Sequence, residues 1–248
     1  MTRRRWIADT WSQTTASLTG EQAEHLLRVL RATPGQIYDV VAGGFLHRAE
    51  IVSVQQSSAG QPAEVIFTLH EELESDTALP LHLLLAVFKF DHMEWAIEKA
   101  TELGVERVSP ILARRTEKHL AQAATKRAER WRRIALESSK QARRKTIPEI
   151  ADPLQLASAL ERETANTRIL LSETEQTVTL TAALASSLQD ASDTTISLAI
   201  GPEGGWTAEE MALFTKHEWR HVTLGPRILR AETAAIAAIA IVGAQIQG

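Results

Sequence analysis

Two glycine-bearing loops near the carboxyl end carry the residue types best suited to hold a small ligand. In the first, the apolar run Ile196–Ile200 feeds Gly201-Pro202-Glu203-Gly204-Gly205-Trp206 and then Thr207-x-x-Glu210. A strand that enters a glycine loop and leaves through a capped helix places a ligand at its carboxyl end. Glycines there permit close backbone approach and unusual φ. The spacing is neither GxGxxG nor a Walker loop, since no Gly-Lys-Ser/Thr follows. A tight turn without a ligand is the plain alternative. In the second loop, Val222-Thr223-Leu224-Gly225-Pro226-Arg227-Ile228-Leu229-Arg230 leaves another strand through a Gly-Pro turn, and Glu232-Thr233 precede the helix Ala234–Ile246. That helix is apolar nearly all round, so the fold or a second subunit must enclose it. Arg227, Arg230 and Glu232 beside it need partners, as structural ion pairs or as functional groups.

A third pattern, His217-Glu218-Trp219-Arg220-His221, fits the zinc-protease HExxH. That chemistry needs both histidines on one helical face and a further ligand beyond them. His221 borders the strand Val222–Leu224, no histidine follows, and Glu232 is the one later carboxylate. No metal site is expected.

The elements that position these loops fall into two groups. Over the first seventy or so residues, Thr19-x-x-Gln22 reads as a capping box for a short helix with Ala23, Leu26, Leu27 and Leu30 on one face, ended by Pro34-Gly35. Ile37–Val41 and Phe45–Val54 flank Gly43-Gly44 as a hairpin, and Ala63–Leu69 is a further strand. Short strands with one small helix predict a compact β-barrel-like domain over residues 1–73, with the acidic stretch Glu71–Asp76 as linker. Over residues 77–248 strand and helix alternate. Leu81–Phe88, Val108–Leu112, Arg168–Ser172, Ile196–Ile200 and Val222–Leu224 read as strands. Asp91-x-x-Glu94 opens a helix with Met93, Ala96, Ile97 and Ala100 inward, closed by Gly104; Leu154–Leu160, Leu180–Leu188 and Ala208–His217 are further helices. This alternation predicts an α/β fold with a parallel sheet covered on both faces.

Composition sets the outer limits. The 248 residues are 44% hydrophobic and 23% charged, which is globular. No apolar run approaches a bilayer span, and the arginine-led N-terminus has no apolar segment of a signal peptide behind it. With no cysteine, disulfides, thiolate metal sites and cysteine nucleophiles are excluded. A cytoplasmic protein without a membrane partner is expected. The net charge of −4 conceals a basic block, twelve Lys/Arg against three Glu between Ala113 and Thr146. Localised positive charge in an acidic chain marks either a polyanion-binding face or a solvated helix surface.

Gly201–Glu210 (GPEGGWTAEE) followed by Leu224–Ala234 (LGPRILRAETA) resembles the SPOUT methyltransferases, specifically the bacterial enzymes that methylate N3 of a uridine in small-subunit ribosomal RNA. Arg3-Arg4-Arg5-Trp6 is similar to that family's basic N-terminus, and His25–Gly35, which includes Arg31, to its first-domain motif. Ile97–Val105 and the Gln141…Arg144…Pro148 spacing agree as well, so the resemblance spans essentially the whole chain. It implies a PUA-like β-barrel before a SPOUT α/β domain with a deep C-terminal trefoil knot, usually dimeric. It also implies S-adenosylmethionine as cofactor, held by Leu171, Ser172 and Glu173, by Ile200, Gly201, Pro202, Glu203, Gly204 and Gly205, and by Leu224, Gly225, Ile228 and Leu229.

Methyl transfer to a uridine N3 asks for positioning and for a group that stabilises the forming anion or accepts its proton. Arg230 is the candidate for the first role and Glu232 for the second; His25, beside an apolar helix face, is structural or an RNA contact. Lys126, Arg130, Arg133, Lys140 and Arg144 fall on one stripe of a helix whose neighbouring face carries Trp131, Ile134, Ala135 and Ser138. With Arg3, Arg4, Arg5 and Arg31, that stripe is the expected RNA contact, tracking phosphates and leaving base specificity to other residues. The competing functions are a SPOUT enzyme acting on another base or a ribose 2′-hydroxyl, and a catalytically inactive RNA-binding ribosome assembly factor.

Overall fold

A computed structural model describes residues 5–58, 60–73, 78–142, 144–188 and 195–247. The chain divides into two compact units, Met1–Thr77 with Arg143–Thr146, and Ala78–Ala142 with Ile147–Gly248. Among the described residues no helix is long and apolar enough to cross a membrane.

In the first unit, β1 (Arg5–Ile7), β2 (Thr10–Trp11), β3 (Thr15–Thr19), β4 (Ile37–Ala42), β5 (Phe45–Gln55) and β6 (Glu64–Glu72) form one sheet in the order β1-β4-β5-β6-β3-β2. β1 runs parallel to β4 and the other pairs are antiparallel. The β4–β5 hairpin forms as expected, because Gly43 and Gly44 take φ of 60° and 84°, the left-handed pair a two-residue turn needs. Register shifts along the β5–β6 ladder accompany a long strand closing over a core of Leu18, Leu26, Val40, Ile51, Val65 and Phe67. The expected capping box at Thr19 is absent. α1 (Gly20–Glu24) has no side-chain cap, because Asp9 accepts from the backbone and hydroxyl of Thr19 and from Gln22. The helix continues as one π-helical turn, His25–Val29, in which the His25 ring packs 5.9 Å from Trp6.

In the second unit, β7 (Leu79–Ala86), β8 (Val105–Leu112), β10 (Leu154–Gln155), β11 (Thr167–Leu171), β12 (Ile196–Ile200) and β13 (Arg220–Val222) lie in the order β10-β8-β7-β12-β11-β13, and β9 (Glu149–Ile150) also pairs with β8. Every pairing is parallel. Alternate residues of the central strands serve opposite faces, as a two-residue period requires. Leu81, Leu83, Leu85, Leu198 and Ile169 pack with Met93, Ile97, Trp131 and Ile239. Leu84, Ala199 and Leu170 pack instead with Leu156, Leu160, Phe214 and Trp219. The first layer of helices is α2 (Phe90–Glu102), α3 (Lys118–Gln141), α5 (Leu180–Leu188) and α7 (Ala231–Gln247); the second is α4 (Leu156–Arg162) and α6 (Ala208–Lys216).

Three local expectations give way to tertiary contacts. Asp91 and Glu94 do not cap α2, which starts at Phe90, and Glu94 bonds Arg127 and Arg130 of α3 instead. The segment read as a helix from Leu154 opens with the two-residue strand β10, captured by β8. α3 ends at Gln141, so Arg144 lies beyond the helix and off the stripe. Of the expected linker, β6 takes residues through Glu72, and residues 74–77 lie outside the described residues.

Candidate active site

β12, β11 and β13 are neighbours in the parallel sheet, so the loops leaving their carboxyl ends open on one edge. Backbone bonds join two of these loops. Ser172 N donates to Val222 O at 3.0 Å, Thr223 N to Val178 O at 2.8 Å, and Leu180 N to Thr223 O at 3.0 Å. The third, Gly201–Gly205, closes as a turn through Gly205 N to Pro202 O at 2.8 Å. The switch point of the sheet lies beside it, between β7 and β12, where the crossovers leave in opposite directions.

The glycines differ in what they do. Gly205 and Gly225 hold φ of 68° and 114°, in the region that favours glycine, whereas Gly204 does not. A side chain at Gly201 would meet Trp206 Nε1 at 3.0 Å, because the indole folds back beneath the loop. Trp206 then stacks edge-on to Phe214 at 4.9 Å, and Phe214 to Trp219 at 5.3 Å, which anchors the turn in the second core. No atom lies within 4 Å of a Cβ built at Gly225. Leu171, Leu224 and Leu229 are half-buried along this edge, and Ile228 is 84% exposed. Apolar walls, open backbone and room at Gly225 suit a flat, largely apolar ligand with a polar rim.

The segment after β8 also joins the site, which the loop motifs did not reveal. Arg115 Nη1 donates to Gly204 O at 2.5 Å, and its aliphatic stem lies over that glycine. Arg114 N donates to Glu210 Oε1 at 2.7 Å. Glu210 is buried and completes the expected capping box, accepting from Thr207 N at 2.9 Å while Thr207 Oγ1 accepts from Glu210 N at 3.3 Å. Thr116 Oγ1 donates to Val87 O at 2.8 Å, tying the same segment to the end of β7. The sequence signal for this clasp was the start of the basic block directly beyond a strand end.

Arg230 is exposed, and Glu232, in the first turn of α7, is 3% exposed. The partner of Glu232 is His92 of α2, whose Nδ1 lies 2.8 Å from Oε1. Burial works to raise the Glu232 pKa. The His92 bond, the α7 backbone and the charges of His92 and Arg230 outweigh it and hold the carboxyl below its ordinary range.

The expected RNA residues separate. Lys126 and Arg133 are exposed on α3 with no ion pair among the described residues. Arg130 Nε lies 2.9 Å from both oxygens of Glu94, and Lys140 bonds Glu137 at 3.0 Å. Arg144 belongs to the first unit, where burial lowers its pKa to about 10. In that unit Arg5 is half-buried in β1 and Arg31 is exposed with φ of 53°; Arg3 and Arg4 lie outside the described residues. The HExxH histidines part as anticipated: His217 caps the end of α6, Glu218 turns the chain at φ 60°, and His221 sits in β13.

Residues 75–243 match the RNA methyltransferase domain family. The chain is 33% identical to the ribosomal RNA small subunit methyltransferase E of Synechocystis, over 95% of this chain and 75% of that one. To the Bacillus subtilis protein of the same name it is 31% identical, over 94% of this chain and 91% of that one. A crystal structure of the Neisseria gonorrhoeae ribosomal RNA small subunit methyltransferase E bound to S-adenosyl methionine superposes with a TM-score of 0.76. It is 28% identical, covering 97% of this chain and 96% of that one. The likeness extends through both units, and the chain is therefore a member of the RNA methyltransferase family that contains the ribosomal RNA small subunit methyltransferases E.

Proposed function

We propose that this enzyme methylates N3 of a uridine in small-subunit ribosomal RNA, with S-adenosylmethionine as donor. The observation that carries the reading is the convergence of Leu171–Glu173, Ile200–Gly205 and Leu224–Leu229 on one edge of three adjacent parallel strands. The half-buried leucines and the two left-handed glycines fit the adenosine moiety, with backbone groups meeting its polar rim. When bound, S-adenosylmethionine supplies an electrophilic methyl group.

The chain's own residues do the rest. Arg230, exposed two residues before buried Glu232, presents its guanidinium to the base carbonyls and stabilises the N3 anion. Glu232, bonded to His92 in the first turn of α7, accepts the N3 proton. Arg115 keeps Gly204 in register, and Lys126 and Arg133 meet RNA phosphates.

In this reading the second unit is a SPOUT domain with a C-terminal trefoil knot, and the first a PUA-like barrel that contacts RNA through Arg3, Arg4, Arg5 and Arg31. The grip of Val178 and Leu180 on Thr223, upstream of a helix that returns to pack on α2 and α5, supports the knot. A homodimer is supported by α7, an apolar helix whose Ala240 and Ala244 remain exposed. The enzyme acts in the cytoplasm, where its ribosomal substrate is assembled.

Nucleoside mass spectrometry of ribosomal RNA from a deletion strain tests the assignment. Loss of 3-methyluridine, restored by the intact gene, is the expected result. Loss of a different methylated nucleoside would transfer the enzyme to another base or ribose, and an unchanged profile would leave it an assembly factor.

A further inference from the structure

The bond between His92 and Glu232 joins the starts of two helices 140 residues apart in the chain. α2 begins three residues beyond β7 with no side-chain cap, and α7 begins immediately beyond the final loop. Glu232 takes its carboxylate to a place where water barely reaches it, with a side chain 4% exposed. A carboxylate so placed needs a cation or several donors. Among the described residues His92 is the one side chain hydrogen-bonded to it. The imidazole itself is flanked on both nitrogens by acid: Nδ1 by Glu232 at 2.8 Å, and Nε2 by Asp91 at 3.7 Å. Arg230 adds its charge from the loop side, and the nearby α3 cations Arg127 and Arg130 are taken up by Glu94.

We infer that His92 is a positioning residue for methyl transfer: its ring clamps Glu232 through the Nδ1 bond, and through Glu232 fixes the start of α7 and the Leu224–Arg230 loop. This rests on the methyltransferase reading. It makes no use of His92 as a base, because its Nδ1 is taken up by Glu232.

The test compares the wild-type protein with His92→Ala, which removes the donor, and His92→Gln, which keeps one. Single-turnover methyl transfer by His92→Ala is expected to fall roughly tenfold, chiefly in turnover and less in RNA affinity. His92→Gln is expected to recover most of that loss. Hydrogen exchange of residues 224–234 in the cofactor-free protein supplies a readout independent of activity. Protection is expected to be low in His92→Ala and close to wild type in His92→Gln. Two variants that both lose turnover while keeping wild-type protection make His92 the proton acceptor and overturn the clamp. So does a His92→Ala variant equal to wild type in both readouts. If the wild type transfers no methyl group at all, the methyltransferase reading fails while the exchange data still report the clamp.

Discussion

Gly225 and Gly204 look alike in sequence, each one of the glycines in a Gly-rich strand exit, and the structure gives them different duties. Gly225 holds a φ of 114° with open space on its Cβ side, so the constraint there is backbone conformation. Gly204 is outside the left-handed region, and a Cβ there would meet the Arg115 stem at 3.4 Å, an ordinary contact. Gly225→Val is therefore expected to weaken S-adenosylmethionine binding by about 5- to 150-fold, from a strain of about 1–3 kcal/mol in a loop that must hold its shape. Gly204→Ala is expected to bind nearly as well as wild type. Calorimetric titration of both variants, with thermal melts to establish folding, decides the point; equal losses would mean that the loops work by packing. At this scale the motif residues were legible because glycine, proline and arginine announce themselves locally. His92 and Arg115 were not, since each acquires its role from a residue far along the chain, Glu232 and Gly204.

The parallel strands were legible for a physical reason. Runs such as Leu81–Phe88 and Ile196–Ile200 are apolar at consecutive positions because helices cover both faces, and the burial of all five β12 residues bears that out. Caps were less legible. Thr207 and Glu210 form the box their spacing predicts, while Thr19 loses its cap to Asp9 and Glu94 is drawn away by α3. A local rule holds where no stronger partner arrives from elsewhere in the chain.

The same competition builds a clasp at the amino edge of the parallel sheet. Glu163, just past α4, has a fully buried carboxylate that bonds His82 of β7 at 3.0 Å and the backbone of Thr164 and Ala165 at 2.9 Å. Arg107 of β8 stands 3.7 Å away. Burial pushes the Glu163 pKa up, but the His82 and Ala165 bonds, the charge of His82 and Ser197 carry it down from 4.5 to about 2. A depressed carboxyl stabilises the fold above its unfolded pKa. The contribution of Glu163 is thus complete above about pH 4.5 and is lost as pH falls toward 2. Glu163→Gln is expected to lower unfolding free energy near neutral pH by about 3–5 kcal/mol, since it leaves the Arg107 charge without its carboxylate and breaks up the buried bonds around it, and to flatten the acid limb of the stability curve. Urea denaturation across that range measures both; an acid limb as steep as wild type would assign the loss of stability to other carboxylates.

For the whole molecule, the uneven charge matters more than the net −4. An acidic chain that binds RNA must confine its cations, and the block between Ala113 and Thr146 does so, but the structure divides that block by use. Arg130 is spent on Glu94, whose side chain is only 12% exposed, so it belongs to the packing of α3 on α2. Lys126 and Arg133 are exposed and make no ion pair among the described residues. Periodicity placed all three on one stripe and could not distinguish them, because the acid that claims Arg130 sits on another helix. Reversing Lys126 and Arg133 together to Glu is expected to weaken RNA binding and to reduce the slope of log affinity against log salt by about 1.4–1.8, the release expected from two phosphate contacts. S-adenosylmethionine affinity and melting temperature should hardly move. Arg130→Glu is expected to do the reverse, lowering the melting temperature by facing one carboxylate with another while changing the salt slope little. Affinities for one RNA over a series of salt concentrations, with melts of the same preparations, separate the two. A salt slope unaltered by the double reversal would make the stripe a solvated surface and move the phosphate contacts to Arg114, Arg115 or the arginines of the first unit.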